Sequence, residues 1–361
     1  MIRFLTSGES HGKCLNAIIE GIGAGYELDF DFINSQLALR QQGKGRGGRM
    51  QIETDAAEFK SGVRFGKTLG SPICIEIKNL DWENWKIPMS VEPVGEEFAE
   101  RVKEKEIHLA RPGHADFAGA IKYCQDDMRN ILERSSARET AARVAVGAIA
   151  QCILKEFDIK GCAKTLSIGG KPIEEADKVI EDAKSEGITL GGTIEVRFCG
   201  LPVGLGSHVH WDRRLDGLLA QAVMSIPAIK GVEIGIGNES ANKTGPEVQD
   251  EIFYGNNFYR KTNNAGGIEG GMTNGEDIVI RAAMKPIPTM KKALKTVNIK
   301  TKEAAEAHFE RSDTCAVEAC AVVALNMTAI VLLDAFMEKF GADSARTTKE
   351  RYEKEAHTAQ K

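Results

Sequence analysis

From Ala319 to Leu333 the chain runs for 15 residues without a charge, with Asn326 inside the run. That is shorter than the roughly 20 apolar residues a membrane-spanning helix needs, and too apolar on every side for a surface helix. It reads as a buried helix, the centre of a longer one from about Asp313 to Phe340, and a buried helix demands packed elements around it. The segment Ser135 to Phe157 is a second strong helix: Ala141, Val144, Ala148 and Cys152 share one face, and Ser136 and Glu139 stand in capping-box spacing. Asp31 to Arg40 and Asp212 to Met224 also have helical spacing.

Short apolar or alternating runs separate these helices. Ile18 to Ile22, Ile73 to Ile77, residues 188 to 200, Gly231 to Gly237 and Ile278 to Met284 read as strands. The class is therefore α/β, in its α+β form. A chain of 361 residues allows one elaborate domain or two ordinary ones. Arg311-Ser312-Asp313 echoes Arg134-Ser135-Ser136 just before a long helix, which suggests two halves related by pseudo-symmetry. Residues 341 to 361, rich in lysine and glutamate, are expected to form a mobile tail.

The net charge of −5 argues against a general nucleic-acid binder, and no segment calls for a membrane. There is no leader-like pattern ahead of Gly8. Eight cysteines form no CxxC pair and no zinc spacing, which points to reduced thiols, a cytoplasmic address and no metal site.

The basic residues are unevenly divided. Residues 40 to 49 and 111 to 143 hold eight arginines (40, 46, 49, 111, 129, 134, 138, 143) and two lysines; elsewhere there are 11 arginines and 26 lysines. Guanidinium is a rigid fork matched to carboxylate and phosphate oxygens, whereas lysine is a flexible point charge. The local reversal predicts a site for a small polyanion, with some arginines in structural ion pairs. Arg40, Arg46 and Arg49 flank or occupy the glycine-rich loop Gly43 to Arg49. Arg134, with Ser135 and Ser136, is expected at a helix N-terminus suited to an anion.

Histidines in polar, small-residue settings supply the acid–base candidates: His11 in GESHG and His114 in RPGHAD. The bland alternative is a satisfied loop histidine. The segments Gly8–Lys13 and Gly62–Thr68 place three residues between their glycines where a P-loop has four, and the glycines of 266 to 275 precede a strand where a Rossmann fingerprint opens a helix. Lys285-Pro286-Ile287-Pro288-Thr289 is held extended by its prolines, as a wall for a planar cofactor or as an ordinary loop.

GESHG (8–12), GKGRGGRM (43–50), RPGHAD (111–116), DMRNILERSSARETAARVA (127–145), MSIPAIKGVEIG (224–235), NNAGGIEGGMTNG (263–275), KPIPT (285–289) and RSDTCAVEA (311–319), in this order, resemble the chorismate synthase family. The resemblance implies a single domain over 1–340 with a β-α-β sandwich and internal pseudo-symmetry, assembled as a homotetramer. It implies loss of phosphate and a ring proton from 5-enolpyruvylshikimate 3-phosphate by 1,4-elimination, with reduced FMN required and no net oxidation. A flavin-free phosphate-ester lyase or phosphotransferase is the alternative reading of the arginines.

By the same resemblance His11 meets the departing phosphate, His114 protonates the reduced flavin, and Asp313 assists removal of the ring proton through it. Substrate binding falls to His11, Arg40, Arg46, Arg49, Arg134, Ser136 and Arg311. Flavin contacts are implied for Arg134, Ser135, Ser136, Pro227, Ala228, Gly270, Lys285, Pro286, Ile287, Pro288, Thr289 and Arg311. Arg40 and Arg46 match nicotinamide-nucleotide positions of the family, with NADPH entering only as a reductant, yet they suit the anionic substrate at least as well. Two residues depart from the family pattern: Lys44 stands where tyrosine is usual and Thr314 where proline is common.

Overall fold

The structure, a computed structural model, describes residues 1–47, 54–310 and 313–359. Its centre is the helix pair Thr140–Lys155 and Val317–Phe340, which pack along one another. Small residues on the first (Ala141, Ala145, Gly147, Ala148) allow a close approach, and Gly147 marks the tightest point. A Cβ there would lie 2.4 Å from both Cβ and the carbonyl oxygen of Asn326. Asn326 is fully buried, so its amide must be satisfied within the core. It donates to Val322 O at 2.9 Å and accepts from Gln151 at 2.8 Å, which ties the two helices by polar as well as apolar contact.

An antiparallel sheet covers each side of the pair. One has the strand order Arg3–Ser7, Cys14–Glu20, Ile73–Lys78, Glu58–Ser61 and packs on the Thr140–Lys155 helix. The other runs Ile229–Ile234, Ile278–Met284, Gly192–Cys199, Lys160–Ile168, Lys171–Pro172 and packs on the Val317–Phe340 helix. Alternation along Cys14–Glu20 and Ile73–Lys78 turns Leu15, Ala17, Ile19, Ile73, Ile75 and Ile77 inward. Each fully buried Ile or Leu contributes about 1.5–3 kcal/mol. The layers are sheet, helices, sheet: an α+β sandwich with a helical interior, as expected.

Helix Phe30–Gln41 packs beside the pair, with Asp29 accepting from Phe32 N at its start. It carries Arg40 in its last turn, where a cation suits the helix dipole. The Val317–Phe340 helix is long and apolar enough to cross a membrane by composition, but it lies buried inside the sandwich.

Two expectations are corrected. The helix read over Ser135–Phe157 is interrupted: Arg129–Ser135 is a separate helix, Ala137–Glu139 a 3₁₀ turn, and the long helix begins at Thr140. Ser136 accepts from Arg138 N, while Glu139 pairs with Arg143 rather than closing a capping box. Residues 341–361, expected as a mobile tail, contain the helix Ala345–Ala359. Its Thr348 is fully buried and accepts from Tyr26 Oη, and its Tyr352 ring meets Phe157, Phe336 and Phe340. These apolar contacts outweigh the charged composition that suggested a free tail.

Candidate active site

A cavity of about 380 Å³ opens where both sheets meet the N-terminal ends of the helix pair. His11, Arg40, Arg46, His114, Ser135, Ser136, Pro227, Ala228, Lys285, Ile287, Pro288, Thr289 and Asp313 all line it. His11 and Asp313, 302 positions apart in the chain, are thereby brought to one cavity. Ile226, Pro227, Met284, Ile287, Pro288, Ala319 and Val323 give the lining an apolar part, and arginines, histidines, Lys285, Glu310 and Asp313 a charged one. Ala228 holds φ = 72°, a strained value for a residue with a Cβ, and its carbonyl accepts from Lys285 N at 2.9 Å.

The arginines are anchored before any ligand arrives. Arg40 and Arg138 share the buried Asp55, at 2.7 and 2.5 Å. Burial works to raise the Asp55 carboxyl, but Arg138 and Arg40 hold it below the usual carboxylate range. Arg111 pairs with Asp116 at 2.8 Å and donates to Thr289 at 2.9 Å. Arg46 reaches Asp313 at 2.5 Å, and Gly47 N donates to the other Asp313 oxygen at 2.6 Å. Structural ion pairing is thus realised at each of these four arginines, without removing them from the wall. A guanidinium has five donors, so one carboxylate leaves capacity. Arg40 Nε–H is buried with no protein acceptor among the described residues, an orphan donor that an anionic ligand would satisfy.

His11 and His114 are each held by a carboxylate. His11 Nδ1 lies 2.8 Å from Glu133 Oε1, and its backbone N–H donates to Glu133 Oε2 at 2.7 Å. Its ring stacks on Trp85 with centroids 4.0 Å apart. His114 Nδ1 lies 2.5 Å from Asp116 Oδ1. Burial acts against the Glu133 and Asp116 carboxylates, but hydrogen bonds from His11 and Arg129, and from His114 and Arg111, hold both below their ordinary ranges. Glu310, also on the wall, is opposed by burial, yet His308 and Arg129 bring it down to about 2. The Cys320 thiol is pushed up to about 12 by burial and offers no nucleophile.

Glycines set close approaches at two points. Gly45, with φ = 77°, lets the arginine loop lie on Cys315, where a Cβ would come within 3.1 Å of its backbone N and its Cβ. Gly113, with φ = 82°, accepts a hydrogen bond from Lys285 Nζ at its carbonyl. Burial, then Lys230, lowers the Lys285 ammonium. At the loop departures, Lys44 pairs with Asp177 at 2.9 Å, and Thr314 donates its N–H to Gly45 O at 2.8 Å, a bond proline could not make.

Some expected residues are elsewhere. Arg134 lies at the end of a helix rather than ahead of one, and its guanidinium donates to the Thr6 and Gly8 carbonyls, away from the cavity. Gly270 borders a different depression with Ile234, Ile236 and Asn264. Pro286 is not on the cavity wall, although its neighbours are. Arg49 and Arg311 lie outside the described residues. Sequence reasoning gave no role to Glu133, Asp116, Asp55 or Trp85. The first two were inside quoted motifs, but nothing in their spacing names their partners.

A cavity lined both by apolar side chains and by anchored cations and carboxylate-held histidines suits a flat ring system beside a small polyanion. The chorismate synthase family model matches residues 2–337. The chain is 55% identical over 355 residues to the chorismate synthase of Thermoanaerobacter pseudethanolicus, covering 98% of this chain and 97% of the relative. It is 51% identical over 389 residues to that of Aquifex aeolicus, covering 98% and 96%. A crystal structure of a chorismate synthase superposes with a TM-score of 0.78 at 42% identity, covering 99% of this chain and 98% of the other. With that extent of identity across sequence and fold alike, the chain belongs to the chorismate synthase family.

Proposed function

We propose how this cavity serves the lyase reaction of the shikimate pathway, the 1,4-elimination of phosphate from 5-enolpyruvylshikimate 3-phosphate to give chorismate. The observation that carries the reading is the convergence of His11, His114 and Asp313 on one cavity with the anchored arginines. The substrate bears two carboxylates and a phosphate, so forked cations must replace its hydration. Arg40 and Arg46 bind these groups, with Arg49 and Arg311 as further ligands and Ser136 as a hydroxyl donor.

His11 presents a ring nitrogen to the leaving phosphate and gives it a proton. Asp313, steadied by Arg46 and Gly47 N, stands on the side that receives the ring proton. His114, oriented by Asp116, holds a proton for the cofactor. Reduced FMN suits the apolar wall of Pro227, Ala228, Ile287 and Pro288, with Ser135, Lys285 and Thr289 at its polar edges. When bound, it would supply an electron to the substrate and recover it after phosphate has gone. Among the other flavin positions read from the resemblance, Arg134, Gly270 and Pro286 do not line this cavity, and Arg311 is kept as a further contact. The active form is a homotetramer working among reduced thiols in the cytoplasm, and NADPH serves only upstream, as the reductant of FMN.

The test is an anaerobic assay with photoreduced FMN, repeated with oxidised FMN and NADPH. Chorismate and phosphate are expected in the first and not in the second. Turnover with oxidised FMN and no reductant would overturn the requirement for reduced flavin, and turnover with oxidised FMN and NADPH would assign the reductase step to this chain.

A further inference from the structure

Glu133 is a buried, fully engaged acidic side chain beside the cavity, although it does not line the cavity itself. It lies on the helix Arg129–Ser135 and its side chain is 1% exposed. One oxygen meets His11 Nδ1 and Arg129 Nη1, at 2.8 and 2.9 Å; the other accepts the His11 backbone N–H at 2.7 Å. The carboxylate therefore grips one histidine at both its ring and its main chain. On the ring face, Trp85 stacks at 4.0 Å, and the Arg129 guanidinium in turn lies 4.9 Å from the Trp85 centroid. The imidazole is fixed against swinging and against flipping.

An ionised carboxylate only accepts hydrogen bonds. Nδ1 must then carry a proton, the tautomer that a free histidine side chain does not favour. Nε2, which has no protein partner among the described residues, is left for the cavity. We propose that Glu133 is the positioning residue of the phosphate-leaving step, setting the tautomer and aim of His11 so that Nε2 faces the leaving group. This rests on the reading of His11 given above.

The balance is complete with groups already named. The substrate C–O bond breaks with its electron pair staying on the phosphate oxygen; His11 enters this step as the imidazolium, its Nδ1–H held by Glu133, and its Nε2 proton passes to that oxygen, leaving the neutral Nδ1–H tautomer. The ring C–H proton goes to the Asp313 side, its electron pair forms a double bond to the neighbouring ring carbon, and the existing ring double bond shifts to the carbon that loses phosphate. A histidine turned the other way would offer Nδ1 instead, at the wrong place.

A double-mutant cycle tests this, using the full-length enzyme with photoreduced FMN: wild type, Glu133→Gln, His11→Ala and the pair. Glu133→Gln is expected to lower kcat about 10²-fold with KM changed less than about threefold, as loss of an orienting partner does. On the His11→Ala background the same change should cost less than about threefold, because its only route of action is gone. ¹⁵N-histidine-labelled enzyme should show the His11 ring nitrogens exchanging tautomer in Glu133→Gln. Additive losses, or a ring signal unchanged by the substitution, would overturn the proposal. An active His11→Ala enzyme would instead sink the reading of His11 on which it depends. If the glutamine variant does not fold, Glu133→Asp, which keeps the charge but shortens its reach, should show the same cycle with a smaller kcat loss; additivity there counts equally against the idea.

Discussion

Replacing Asp55 by asparagine tests whether the arginine wall is held by its carboxylates. Asp55 is fully buried and takes Arg40 on one oxygen and Arg138 on the other. Asparagine keeps one acceptor, so one guanidinium retains a hydrogen bond while the other faces an amide N–H, and both lose their counter-charge. Breaking a buried pair costs about 3–5 kcal/mol; the retained bond places the expected loss near the lower end, about 3 kcal/mol. For a chain of this length the unfolding entropy is on the order of 0.8 kcal/mol/K, so the melting temperature should fall by about 4 °C. The uncompensated cationic charge also predicts a gain. Inorganic phosphate should raise the melting temperature of Asp55→Asn more than that of wild type, because an anion in the cavity then replaces the missing charge. Differential scanning fluorimetry with and without phosphate reads both effects. An unchanged melting temperature, or an equal phosphate shift in the two proteins, would refute the view that Asp55 pre-sets Arg40 and Arg138.

Further outcomes are expected elsewhere. His114→Ala should retain substrate binding while kcat falls about 10²–10⁴-fold, read by steady-state kinetics and equilibrium binding; unchanged turnover would remove its proposed role. Gly147→Ala should cost about 1–3 kcal/mol or more by forcing the central helices apart at Asn326, measurable by denaturant titration. Acid should destabilise the fold in a defined window: Glu310 lies at about 2, below its ordinary 4.5, so its contribution is complete above about pH 4.5 and is lost as pH falls toward 2. Asp55, Asp116 and Glu133 are depressed in the same direction. Glu310→Gln should flatten the stability curve in that window, and an unaltered slope would contradict the assignment.

Much of the scaffold is legible in the chain because its cause is local. Short apolar runs find Ile73–Lys78 and Ile278–Met284, alternation finds Gly192–Cys199, and continuous apolarity finds the Val317–Phe340 helix. The arginine-rich segments likewise mark the cavity before any contact is known. What escapes sequence reasoning depends on partners far along the chain. Glu133 acts on a histidine 122 residues away, and Asp55 on arginines at 40 and 138. Arg134 is misread because the helix breaks at Ser135–Ser136 and not before it, so the guanidinium turns toward Thr6 and Gly8. The terminal helix is missed because two side chains, Thr348 and Tyr352, decide its docking against a majority of charges.

The cavity sits on the seam between two sheet-backed halves, its floor made by the ends of both central helices. Neither half alone carries a complete binding surface. Occupancy is therefore a clasp across the seam: a ligand that fills the cavity must strengthen the cohesion of the halves, and slippage between them must release it. Native-state hydrogen exchange should see this as added protection in amides of both halves at once when phosphate binds.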